Sequence, residues 1–127
     1  GMSFIKNMGN SQYSIVKSIV MDSLEDLKTL DLVCIDMKKK SNFTDLLLIG
    51  TGTSSIHIKA ISNEITENLK KNGYGKNIKG IEIDSEWVLI DLYDIVINIM
   101  LQETREFYGL EKLWSDEKNC KSEITSA

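Results

Sequence analysis

The chain has 127 residues, 42% hydrophobic and 27% charged, with a net charge of −4. That length fits one domain that buries about two-thirds of the surface its unfolded form exposes. No apolar run approaches the roughly 18 residues of a membrane span, and the start lacks the pattern of a secretory or transit segment.

Direct binding to a nucleic-acid backbone calls for a basic face, which an acidic chain does not promise. An acidic protein can still associate closely with a basic protein partner, including one attached to RNA. Gly1 before Met2 reads as a cloning scar and is left out of the fold. The two cysteines form no motif: Cys34 lies in an apolar run and Cys120 in a polar tail. With one histidine they are too few for a zinc site or a disulfide framework, so a reduced, cytoplasmic protein is expected.

Residues 1–12 are polar and read as irregular. From Tyr13 a helical period begins, with Val16, Val20, Leu24 and Leu27 on one face and Asp22, Glu25, Asp26 and Lys28 opposite. Leu32 to Met37 is a short strand candidate, followed by the basic loop Lys38-Lys39-Lys40-Ser41-Asn42, best read as a solvated tip. The run from Phe43 to Gly50 lacks alternation, which predicts a central strand covered on both faces.

Thr51-Gly52-Thr53-Ser54-Ser55 then turns the chain into a helix, with Ser and Thr as N-cap types. Ile58, Ile61, Ile65 and Leu69 form its buried stripe. Lys70 and Lys71 suit its C-terminal dipole, and Gly73 suits a left-handed stop. Ile78 to Ile83 is a weaker strand. Trp87 to Leu92 and Ile95 to Leu101 are strong ones, and the tight Tyr93-Asp94 link favours antiparallel pairing. Gln102 to Tyr108 is a short helix that Gly109 ends.

The resulting order predicts an α/β fold with a single mixed sheet of about five strands and packing helices. The domain spans residues 13–114, and 1–12 and 115–127 are read as flexible termini.

Evidence of catalysis is thin. His57 is the only histidine, and no Ser or Cys stands in a nucleophile motif. Asp36, Asp45, Asp91 and Asp94 lie near strand ends, where carboxylates can hold magnesium. Asp91 and Asp94 straddle a turn, however, and acidic residues there commonly serve the local backbone. Glu103 to Trp114 is different: Arg105, Tyr108 and Trp114 belong to the residue types most enriched in interface hot spots, and they lie beside Glu103, Glu106 and Glu111. The segment is either a cap on the core or an interface, and sequence physics leaves the two open.

Thr51-Gly-Thr-Ser-Ser-Ile-His57, Trp87-x-x-x-Asp91-x-x-Asp94 and Arg105-x-x-Tyr108-x-Leu110-Glu111-x-Leu113-Trp114 together resemble the ribosomal silencing factor (Iojap-related) family. Asp36, Ser41 and Asp45 match the family's spacing around the first hairpin, and the likeness covers roughly residues 15 to 115 by eye. The resemblance implies a nucleotidyltransferase-like topology without its catalytic carboxylate pair, and no enzymatic activity, catalytic residue, metal or cofactor. It implies a translational repressor that binds the large ribosomal subunit through its fourteenth protein and blocks joining of the small subunit under nutrient limitation. Neither a membrane nor sequence-specific nucleic-acid binding is implied, and a homodimer is possible.

The partner-binding set expected on this basis is Asp91, Asp94, Glu103, Arg105, Tyr108, Glu111 and Trp114, with Arg105 either contacting the partner or holding a glutamate in place. Trp87 is expected to anchor the sheet. Two departures stand out. Asn98 replaces the family's usual histidine, and Gly80-Ile81 stands where a Glu-Gly pair is usual. The rival reading is a nucleotidyltransferase-related enzyme, using the Gly52 to Ser55 turn for phosphate and the aspartates for magnesium.

Overall fold

The structure, a computed structural model, describes residues 2–38 and 44–108. Helix α1 (Met2–Asp26) leads into strands β1 (Leu30–Asp36) and β2 (Leu46–Gly52), helix α2 (Ser55–Lys71) and a 3-10 turn at Gly75–Asn77. Strands β3 (Gly80–Ile83), β4 (Trp87–Asp91) and β5 (Ile95–Leu101) follow, then helix α3 (Gln102–Tyr108). The expected order of elements is the observed one. The start is a correction: α1 begins at Met2, not near Tyr13. Residues 2–12 contain no proline to stop a helix, and the apolar period begins only at Tyr13.

The five strands run in the order β1-β2-β5-β4-β3. β2 and β5 pair parallel at the centre, and every other pair is antiparallel, including the β4–β5 hairpin across Tyr93-Asp94. Tyr93 takes a positive φ of 71° in that tight link. Its amide donates to Asp91 Oδ1 at 2.9 Å, which fixes the turn. The Asp94 carbonyl accepts the amides of Asp45 and Leu46 and the hydroxyl of Thr44, tying the hairpin to the start of β2.

Alternation along the strands sends one set of side chains toward the helices. Leu46, Leu48, Val88, Ile90, Ile97 and Ile99 meet Val16, Val20 and Leu24 of α1 and Ile58, Ile61, Ile65 and Leu69 of α2 in one core. Ser23 is buried between the helices without cost, because its hydroxyl donates to the Ile19 carbonyl at 2.8 Å and accepts from Asn68 Nδ2 at 2.9 Å. Cys34 is buried in this core, as read, but it is disulfide-bonded, so the expectation of a reduced thiol is not met there.

α2 begins as its sequence requires. Ser54 is the N-cap and accepts the His57 amide at 3.1 Å, while Lys70 and Lys71 fill the last turn. Gly73 takes φ +84°, a conformation open to glycine at little cost. Gly52 is needed for close approach, since a Cβ there would lie 2.7 Å from Ile58 Cγ1. Among the described residues no helix is long and apolar enough to cross a membrane.

Candidate functional site

The other face of the sheet is also apolar, but it is covered differently. Val33 and Ile35 of β1, Leu47 and Ile49 of β2, Val96, Asn98 and Met100 of β5, and Trp87 and Leu89 of β4 alternate onto it. Ile35, Ile49 and Met100 are buried, and Trp87, Val33 and Leu47 pack half-buried around them. No described helix residue belongs to that cluster. Trp87 therefore does anchor the sheet, while remaining half-exposed on this face.

Asn98 sits in the middle of the face, between Ile49 on β2 and Leu89 on β4. Its Oδ1 is buried with no hydrogen-bond partner. An unpaired buried acceptor is costly, and natural proteins keep few of them. In the sequence Asn98 stands out only as a departure from the family. What locates it at the centre of a face is the alternation of β5 combined with its register on both neighbours.

The expected site residues do not come together as one patch. Asp91 and Asp94 lie at one end of β5, and Glu103 and Arg105 follow its other end. The seven residues of β5 hold the two groups roughly 20 Å apart at about 3.3 Å per residue. At the first end, Asp91 is partly committed to the Tyr93 amide, and its Oδ2 lies 3.9 Å from Lys79 Nζ. Lys79 also stands over the Tyr93 ring at 5.6 Å. Asp94 is exposed. Asp36 and Asp45 lie near this end too, Asp36 accepting the Lys38 amide at 3.0 Å. Among the described residues no three His, Cys, Asp or Glu side chains converge as metal ligands do.

At the second end Arg105 requires a correction. It is 3% exposed and cannot present a guanidinium to a partner. Its Nη1 donates to the Asp31 carbonyl at 2.8 Å and the Thr51 hydroxyl at 2.9 Å. Arg105 thus pins α3 to β1 and β2, because a buried guanidinium is tolerable only where its donors are satisfied. Glu103 and Glu106 remain exposed, and Gln102 Nε2 donates to Glu106 Oε1 at 2.9 Å along the helix. Tyr108 ends α3, its side chain outside the described region, and Glu111 and Trp114 lie outside the described residues.

An open crevice of about 430 Å³ lies at the carboxyl ends of the parallel pair, lined by Leu30, Thr51, Gly52, Thr53, Leu101, Gln102 and Glu103. In α/β sheets this position often holds a phosphate-bearing ligand. The local chemistry does not suit one. The Thr53 amide donates to His57 Nδ1 at 2.9 Å, and the His57 amide is taken by Ser54. The lining carries a carboxylate and no basic side chain.

His57 itself is structural. An amide can only donate, so Nδ1 must accept; Nε2 then carries the proton and donates to the Leu27 carbonyl at 2.6 Å. The neutral ring clasps the end of α1 to the β2–α2 turn.

Residues 11–127 match the family described as "Ribosomal silencing factor during starvation". The chain belongs to the ribosomal silencing factor family. It is 36% identical over 102 residues to the ribosomal silencing factor of Haemophilus influenzae, covering 76% of this chain and 94% of that one. It is 37% identical over 90 residues to a mouse protein named for mitochondrial assembly of the ribosomal large subunit, covering 67% of this chain and 39% of that one. A crystal structure of a Chromobacterium violaceum protein superposes with a TM-score of 0.73 at 32% identity, covering 83% of this chain and 88% of that one. The family's named role is regulatory: silencing of ribosomes during starvation.

Proposed function

We propose that the protein silences ribosomes by docking on the large subunit through the sheet face opposite its helices. Trp87, Leu89, Val96 and Asn98 form the centre of this contact. Asp91 and Asp94 flank it at one end and Glu103 at the other, with Tyr108, Glu111 and Trp114 continuing from α3. The observation that carries the reading is the apolar sheet face left half-exposed by Trp87, Leu89, Val96 and Leu47, with no described helix residue in its cluster.

The acidic flanks complement a basic protein, and the fourteenth protein of the large subunit is the partner that family membership suggests. Occupying it blocks joining of the small subunit in the cytoplasm, lowering translation when nutrients are short. Self-association through the same face would compete with docking.

Sedimentation with purified large subunits is the direct test. The protein is expected to co-migrate with large subunits at low salt, to release as salt rises, and to reduce formation of joined ribosomes when added before small subunits. Failure to co-migrate at low salt would overturn the reading.

A further inference from the structure

β3 is the outer strand of the sheet, and its free edge is unusual. The Asp84 amide donates to the Trp87 carbonyl across the β3–β4 turn. Antiparallel alternation then makes Glu82 with Leu89 and Gly80 with Asp91 the bonded pairs. Ile81 and Ile83 consequently turn their N–H and C=O groups away from the sheet, and among the described residues no strand pairs with them. Their side chains, 40% and 53% exposed, extend the helix-side apolar surface beyond Ile90 and Val88.

Natural sheets usually blunt such an edge with a bulge, a lysine or a proline. β1, at the opposite edge, has such a device: its register shifts between Leu30 and Val33, with Asp31 at φ 48°. β3 is short, and Lys79 just before it, whose amide donates to the Asp91 carbonyl that also faces Gly80, guards only its start. Instead of lysine, Gly80 to Glu86 holds Glu82, Asp84 and Glu86, all exposed, and no basic residue.

We propose that the β3 edge accepts an extended cationic segment of a partner protein by strand addition, with alternate apolar side chains of that segment packing on Ile81 and Ile83 and basic ones facing Glu82. A second copy of the chain is a poor occupant. The self-pairing register that sets Ile81 against Ile83 also places Glu82 opposite Glu82 of the other copy, and like charges directly opposite are destabilising. The inference goes beyond the large-subunit reading, and its test contains no ribosome, so either can fail alone.

The probe is an end-blocked eight-residue peptide alternating lysine and valine, with a glutamate–valine peptide as control. Amide exchange and chemical shifts are followed by nuclear magnetic resonance. Saturable binding of the basic peptide is expected to slow exchange at Ile81 and Ile83, and the acidic peptide is expected to leave both unchanged. Ile81→Pro removes an outward N–H without touching the β4 ladder, a position where an edge strand tolerates proline. It is expected to weaken binding about tenfold. Glu82→Lys supplies an independent variant, with binding weakened and its salt dependence flattened. The proposal is overturned by unchanged exchange at Ile81 and Ile83 under saturating peptide, or by equal binding of the acidic peptide. It is equally overturned by peptide-free dimerisation that Ile81→Pro abolishes.

Discussion

The two faces of the sheet are built from the same five strands and much the same residue types, yet they are finished in opposite ways. On the helix side Leu48, Val88, Ile90, Ile97 and Ile99 are wholly buried against α1 and α2; Ser23 among them is satisfied by Ile19 and Asn68, while Thr29 Oγ1 near Gly50 is buried without a partner. On the other side Leu47, Leu89, Val96 and Trp87 stay half-exposed, and an amide oxygen lies unpaired among them. A face that serves only stability buries its apolar side chains and fills its cavities. One that keeps apolar area open to solvent is suited to a partner.

The contrast can be broken most strongly on the helix side. Ile61→Ala removes a fully buried side chain of α2 and is expected to cost about 2–5 kcal/mol in denaturant unfolding. A cost below ~1 kcal/mol would mean that the core is loosely packed. At the rim where α3 meets β2, Arg105→Met strands the Asp31 carbonyl and the Thr51 hydroxyl. It should cost about 2–3 kcal/mol and loosen α3, read as faster amide exchange in Gln102 to Tyr108 before global unfolding.

On the partner face the sign reverses. Asn98→Val removes the orphaned acceptor and installs a better strand former. Stability is expected to rise by about 1 kcal/mol, while binding to large subunits weakens; a destabilised variant would refute the idle-acceptor account. The smallest effect belongs to Glu103→Lys, exposed in the first turn of α3. Its stability should change by less than ~0.5 kcal/mol, while its association with large subunits slows and becomes less sensitive to salt.

Much of this architecture could be read from residues. The stripe Ile58, Ile61, Ile65 and Leu69, the Ser54 cap, the Gly73 stop and the Tyr93-Asp94 hairpin all report local physics, and local physics survives folding. What could not be read is placement across the chain. Arg105 carries an interface-type signature, but its burial depends on Asp31 and Thr51, which are remote in sequence. Asp91 and Glu103 look like neighbours on a list, and β5 separates them. The pairing of β2 with β5 decides which side chains surround Asn98, and no local period announces a parallel register. Helix α1 ran earlier than its pattern because amphipathicity marks where a helix packs, not where it starts.

That central parallel pairing also bears on how the molecule comes into being. β1, β2 and α2 can assemble from neighbouring sequence, and so can the β3–β4 hairpin, but within the sheet only β5 joins the two halves, and it lies late in the chain. Long-range pairing of this kind makes folding slower than hairpin formation. During synthesis the two halves must wait until Ile95 to Leu101 has emerged. Because both the partner face and the anchorage of α3 run through β5, chains released before Ile95 should neither fold fully nor silence a ribosome.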